Sequence, residues 1–159
     1  MRLGVLVIVS AVAVTASACS SSKPCAGVGV TSQVGVMFLQ QGYTDLAGTS
    51  YELCAGGTCV KDRLEQEDIT RVSLPLPGDV DPDLGTVRFR VTPNGSSSPE
   101  IDASTDVKLT RRSDGCGGGA YSQGLAFTKE GGLTIKIPSS VTVAWRDHLK
   151  SLASPSGSS

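Results

Sequence analysis

The side chains able to form bonds or move protons are five cysteines, one histidine and two short acidic groups. Their spacing restricts what each can do. Cys54 and Cys59 flank Ala55-Gly56-Gly57-Thr58. A Gly-Gly pair lets both central residues of a two-residue hairpin take positive φ without a steric penalty. The cysteines then face each other across two antiparallel strands, within the ~4.4–6.8 Å Cα separation of a disulfide. Four intervening residues is not the C-x-x-C spacing of redox motifs, and no histidine stands near to complete a zinc set. A structural Cys54–Cys59 bridge is the expectation.

His148 is the single histidine, within Trp145-Arg146-Asp147-His148-Leu149-Lys150. A nucleophile–histidine arrangement would have to use it, yet it follows the last strand-like run. It is expected to be a solvated side chain. Trp145 is expected to pack on the domain rather than enter a membrane surface, because the charges around it are mixed rather than basic. Asp79, Asp81 and Asp83 have the spacing that opens a calcium loop, but Leu84 and Arg90 stand where glycine and a bidentate glutamate belong. They remain weak metal candidates in a polar loop. Glu65, Glu67 and Asp68 form the second acidic group. Paired carboxylates can hydrolyse glycosides, but no cluster of aromatics for stacking on a sugar accompanies them. Neither Gly27-Val28-Gly29 nor Gly117-Gly118-Gly119 opens a helix after a strand, so neither reads as a phosphate loop.

The elements that must position these residues are strands. Apolar and other residues alternate through Val34-Gly35-Val36-Met37-Phe38, Val87 to Val91, Val107 to Leu109 and Leu133 to Ile137. Period-two patterning with one apolar face marks half-buried antiparallel strands. Thr49–Ala55, Thr58–Lys61, Thr70–Leu76 and Ala120–Thr128 are further candidates. Pro77-Gly78, Asn94-Gly95, Asp114-Gly115 and Gly131-Gly132 punctuate them as turns. The expected fold is all-β: an antiparallel, immunoglobulin-like β-sandwich of seven to eight strands over residues 25–138. Residues 139–159 form a flexible or short helical C-terminal tail. There, Val141, Trp145, Leu149 and Leu152 suit a helix face, while Val141, Val143 and Trp145 equally suit a strand.

The first residues set the compartment. Met1-Arg2 is followed by an apolar run from Leu3 to Val14 and the small residues Thr15-Ala16-Ser17-Ala18 before Cys19. A charged start, an apolar stretch and a small-residue cleavage site define a secretory signal over residues 1–18. The run is shorter than the ~20 apolar residues of a spanning helix. Ala16-Ser17-Ala18 suits ordinary signal peptidase, which would release a secreted protein. The segment also resembles the bacterial lipobox, whose cysteine takes a diacylglycerol, although Ala16 stands where that motif usually has leucine. Parity favours lipid on Cys19, since the other four cysteines can then all pair in an oxidising space. With Cys54 and Cys59 joined, Cys25 pairs with Cys116. Residues 19–24 become a short tether.

The Ala-Ser-Ala-Cys leader end, the Cys54–Cys59 hairpin and the Cys116-Gly117-Gly118-Gly119 run together resemble the small secreted lipoproteins of actinobacteria. The resemblance implies a β-domain on the outer face of a cell membrane and assigns no activity. Fourteen basic against fifteen acidic residues leave no basic footprint for nucleic acid. No cofactor is expected. The functional expectation is a non-enzymatic binding or structural module of the envelope, with the membrane and an envelope protein as partners. A carboxylate-dependent hydrolase or a calcium-stabilised domain is the alternative.

Overall fold

The computed structural model describes residues 30–44 and 46–153. Nine strands form two sheets: β1 (Gln33–Leu39), β2 (Ser50–Ala55), β3 (Thr58–Arg63), β4 (Ile69–Pro75), β5 (Asp83–Thr92), β6 (Ile101–Lys108), β7 (Thr110–Ser113), β8 (Gly119–Thr128) and β9 (Gly132–Thr134). One sheet runs β4-β1-β8-β7, with β9 also on β8; the other runs β3-β2-β5-β6. The ladders are antiparallel except β1–β8, which is parallel. The expected all-β sandwich is the observed architecture.

Alternation builds the core. Val34, Val36 and Phe38 from β1 meet Leu53 from β2, Val87, Phe89 and Val91 from β5, and Leu125 and Phe127 from β8. All three phenylalanines of the chain converge there, one from each of β1, β5 and β8. Phe38 lies 5.5 Å from Phe89 and 5.6 Å from Phe127, both edge-on, and Phe89 lies 5.7 Å from Phe127. Edge-to-face contacts at such distances add roughly 0.5–1.5 kcal/mol per pair beyond the area buried.

The outer face of the four-stranded sheet is closed by charge. Glu52 stands opposite Lys61 on one side and Arg90 on the other, and Arg90 stands opposite Asp102. The row Lys61–Glu52–Arg90–Asp102 therefore alternates in sign, with contacts of 3.1, 3.6 and 3.4 Å. Arg88 adds a two-pronged grip on Asp102, its Nε donating at 2.6 Å. That grip, with the charges of Arg88 and Arg90, holds the Asp102 carboxyl below its ordinary pKa.

The five-stranded sheet is covered differently. The C-terminal segment, ambiguous in sequence, is a helix, α1 (Ser139–Ala153). It begins behind Pro138, whose carbonyl accepts from the Thr142 N–H at 3.2 Å. Val141 is fully buried, and Ala144, Trp145 and His148 are half-buried at the i, i+3, i+4, i+7 spacing of one helix face. Val141 packs with Leu39, Ile69 and Ala126 on the outer face of β1, β4 and β8. The helix is thus a third layer of the domain, which reaches Ala153 rather than stopping at 138; residues 154–159 lie outside the described residues. Leu149 and Leu152 remain exposed.

Three sequence expectations need correction. Val107 and Leu109 do not share a strand: β6 ends at Lys108, and β7 begins at Thr110 in the other sheet. The Leu109 N–H donates to Pro82 O at this crossing. Asp83, assigned to a loop, opens β5 ahead of a bulge between Asp83 and Gly85. Ile135, expected in an alternating strand, is 55% exposed because β9 stops at Thr134.

Phe89→Ala should cost about 3–5 kcal/mol by removing a ring shared by both sheets, measurable as a lower urea midpoint. Asp102→Asn should lower the melting temperature at neutral pH. A carboxylate with a depressed folded pKa contributes stability in full above its unfolded pKa of about 3.9 and loses it as pH falls through the folded value. The gap between variant and wild-type melting temperatures should therefore close on acidification through that window.

Candidate functional site

Register divides the sandwich into two ends. β1 starts at Gln33 beside Pro75 and Ser122 and finishes at Leu39 beside Ile69, a run of roughly 20 Å at ~3.3 Å per residue. At the Gln33 end lie the 56–57 turn, the start of β5 and the 114–118 loop. At the Leu39 end lie residues 40–43, the 64–68 segment, the 93–100 connection and the turn after β8.

The cysteines are placed as their spacing predicts. Gly56 and Gly57 both take positive φ, 56° and 79°. Ala55 pairs with Thr58, and Cys54 pairs with Cys59 one step further out. That step is the non-hydrogen-bonded position of the ladder, where facing side chains come closest. Cys54 and Cys59 are joined, with Cα atoms 4.1 Å apart, slightly closer than the usual ~4.4–6.8 Å. Glu52 lies beside them, but oxidised sulfurs offer no thiolate to a metal. Cys116 is also disulfide-bonded. Its partner is not among the described residues; Cys25 and Cys19 both lie outside them. The 114–118 loop is shaped by Asp114, whose Oδ1 accepts from the N–H groups of Cys116 (2.7 Å) and Gly118 (2.9 Å).

The acidic groups occupy opposite ends. Asp79, Asp81 and Asp83 are exposed at the Gln33 end, and Asp81 Oδ1 accepts from the Asp83 N–H at 2.8 Å, an Asx turn. Among the described residues, Glu52–Cys54–Cys59 is the group whose potential ligand atoms fall within a single coordination sphere. Glu67 and Asp68 line a cleft at the Leu39 end; Glu65 does not.

That cleft, about 690 Å³, lies between residues 39–43, Leu46, residues 66–68 and Ala144 of the helix. Gln40, nearly buried, fixes its wall: the side-chain amide donates to Glu65 O at 2.9 Å and Thr70 Oγ1 at 2.7 Å. Its backbone N–H donates to Asp68 O at 3.0 Å. Tyr43 meets Phe38 edge-on and carries the Lys129 ammonium 5.1 Å above its ring. Burial, then the nearby Glu100 and Glu130, raise its hydroxyl pKa. A second concavity of about 430 Å³ continues along the helix, sharing Glu67, Asp68 and Ala144 and adding Asp147, His148, Ser151 and Leu152.

His148 is half-buried rather than simply solvated, its ring stacked on Trp145 at 5.2 Å. Trp145 packs on the domain, as expected, next to the Val141 cluster. Ser151 Oγ donates to the His148 carbonyl at 2.7 Å, so its hydroxyl serves the helix and not the imidazole. A third groove, about 350 Å³, lies on the other side of Trp145, over Gly35, Met37, Arg71, Ser122 and Gly124. Sequence reasoning missed all three, because each is lined by segments far apart in the chain.

No family model matches this chain, and comparison with curated proteins and with solved structures finds no match. The function must be argued from the geometry.

Chain-entropy reasoning separates the two bridges by loop length. Replacing Cys54 and Cys59 together with serine should cost about 2 kcal/mol. Cys116→Ser should cost about 4–5 kcal/mol if it closes the long loop to Cys25. Chemical denaturation of the two variants against wild type measures the difference, and equal losses would contradict the long loop.

Proposed function

We propose that the protein is an exported lipoprotein: a non-enzymatic binding module tethered through Cys19 that presents the far end and helix-covered side of its sandwich to a partner in the envelope. The observation that carries this reading is the division of the two ends. The first described residues, Val30 to Gln33, sit at the end that also holds the disulfide-bonded Cys116. The cleft of about 690 Å³ is at the other end, beyond Leu39. A tether of about five residues reaches roughly 17 Å when extended. A domain so held points its cleft away from the bilayer.

Three features favour binding over catalysis. The acidic groups lie at opposite ends and do not converge. His148 pairs with an indole and not with a hydroxyl nucleophile. The charged outer face of the four-stranded sheet is satisfied within itself, leaving the helix side to do the recognising. Among the described residues no helix is long and apolar enough to cross a membrane.

Intact mass of the membrane-extracted protein tests the anchor. The expected result is a chain beginning at Cys19 with acyl groups attached, and Cys19→Ala should shift the protein from the membrane fraction to the soluble one. An unmodified N-terminal cysteine in a soluble protein would refute the anchor while leaving export intact.

A further inference from the structure

The groove beside Trp145 carries more than its size. Gly35 of β1 and Gly124 of β8 stand directly opposite in the parallel ladder, on the face turned away from the core. Neither takes a positive φ. A Cβ on Gly124 would meet nothing within 4 Å, and one on Gly35 would make only ordinary contacts, at 3.5 Å or more. The contrast is with Gly118 and Gly119, where a Cβ would strike Asp114 Oδ2 and Arg112 O. Backbone and neighbours therefore require no glycine at 35 or 124. Glycine weakens a strand interior, and it often marks a bulge, a bend or a place where a ligand or another backbone approaches closely; β1 and β8 pair here without a bulge.

What could approach is set by the lining. The indole of Trp145 and the Met37 side chain supply an aromatic and an apolar wall. Gln33, Ser122, Gln123 and Arg71 supply hydrogen-bonding groups. No carboxylate lines the groove, and Arg71 has no ion pair among the described residues. Across Trp145 and His148 the polarity reverses: Glu67, Asp68 and Asp147 line the neighbouring concavity. The groove, about 350 Å³, is near the lower limit for small-molecule sites.

We infer that this groove binds a sugar unit bearing a carboxylate, the ring lying over the Gly35–Gly124 floor against Trp145 and the carboxylate paired with Arg71. A pyranose has an apolar C–H face suited to an indole and a rim of hydroxyls suited to amides and hydroxyl groups. A guanidinium matches a carboxylate through two parallel hydrogen bonds. The inference takes the source of the glycan, but not the site, from the envelope location proposed above.

Trp145 is the only tryptophan of the chain, so its emission reports on the groove without a label. The full chain is titrated with N-acetylmuramic acid and with N-acetylglucosamine, which share a ring and acetamido group and differ in the carboxylate-bearing substituent. The expected result is a saturable emission change with the acid, weaker by about tenfold with the neutral sugar. Gly124→Val, which fills the floor at a position open to a Cβ, should abolish the response while the melting temperature holds or rises. Arg71→Gln should remove the preference for the acid and leave neutral-sugar binding unchanged. No saturable response, an undiminished one in Gly124→Val, or equal affinities for the two sugars would each overturn the assignment. Either outcome leaves the mass test of Cys19 independent, so the anchor and the groove can fail separately.

Discussion

The sandwich depends on three aromatic rings meeting between its sheets. Phe38, Phe89 and Phe127 are the whole phenylalanine complement, and they occupy one site. Aromatic residues make up only 4% of the chain, so elsewhere the core is valine and leucine. The larger rings therefore lie where the sheets must span the ~10 Å between backbones. Two of them sit on β1 and β8, which brings these strands together as the parallel centre of the five-stranded sheet: Phe38 stands opposite Phe127 in register. Phe89 reaches them from β5, the strand between β2 and β6. Placement of the helix, the clefts and the glycine floor all follows from β1 and β8 being fixed in this way.

Stability is reinforced around that centre rather than through it. Disulfide sulfurs lie at the hairpin of β2 and β3 and in the 114–118 loop, where the chain turns and hydrophobic burial is least. The outer face of the four-stranded sheet gains little from its exposed ion pairs. Its alternating charges do make it a poor surface for apolar docking. The other sheet would expose Leu39, Ile69 and Ala126 without α1, and burying them explains why the last described segment folds back as a helix. A cylinder laid on a twisted sheet cannot cover all of it. The uncovered flanks become the concavities on either side of Trp145 and His148.

This geometry separates what sequence could reveal from what it could not. Alternation in β1 and the centre of β5 was legible because their inward residues are large and apolar. The Cys54–Cys59 bridge was legible because a Gly-Gly turn fixes the register between its ends. β6 was only half visible: its inward side includes Ala103 and Thr105, too small or too polar to stand out from a loop. The crossing at Leu109 left no mark, since a residue buried between two sheets looks the same in either strand. The helix was ambiguous because Val141, Val143 and Trp145 fit both periods, and only the apolar patch beneath it decides. The clefts were invisible in principle. Residues 40–43 and 66–68 meet through a backbone hydrogen bond from Gln40 to Asp68, and no local pattern encodes that meeting.

Gly35 and Gly124 bring the two levels together. In sequence Gly35 falls within an alternating run, and nothing marks Gly124. In the fold they are partners across the ladder that the phenylalanines hold most firmly. Strand pairing on the inner face is secured by Phe38, Phe127, Val36 and Leu125, so the outer face of the same strands is free to carry no side chain there. The floor is backed by the aromatic core of the sandwich. A ladder held from the core side by phenylalanine and a floor without side chains therefore coincide, and the helix supplies the indole beside them.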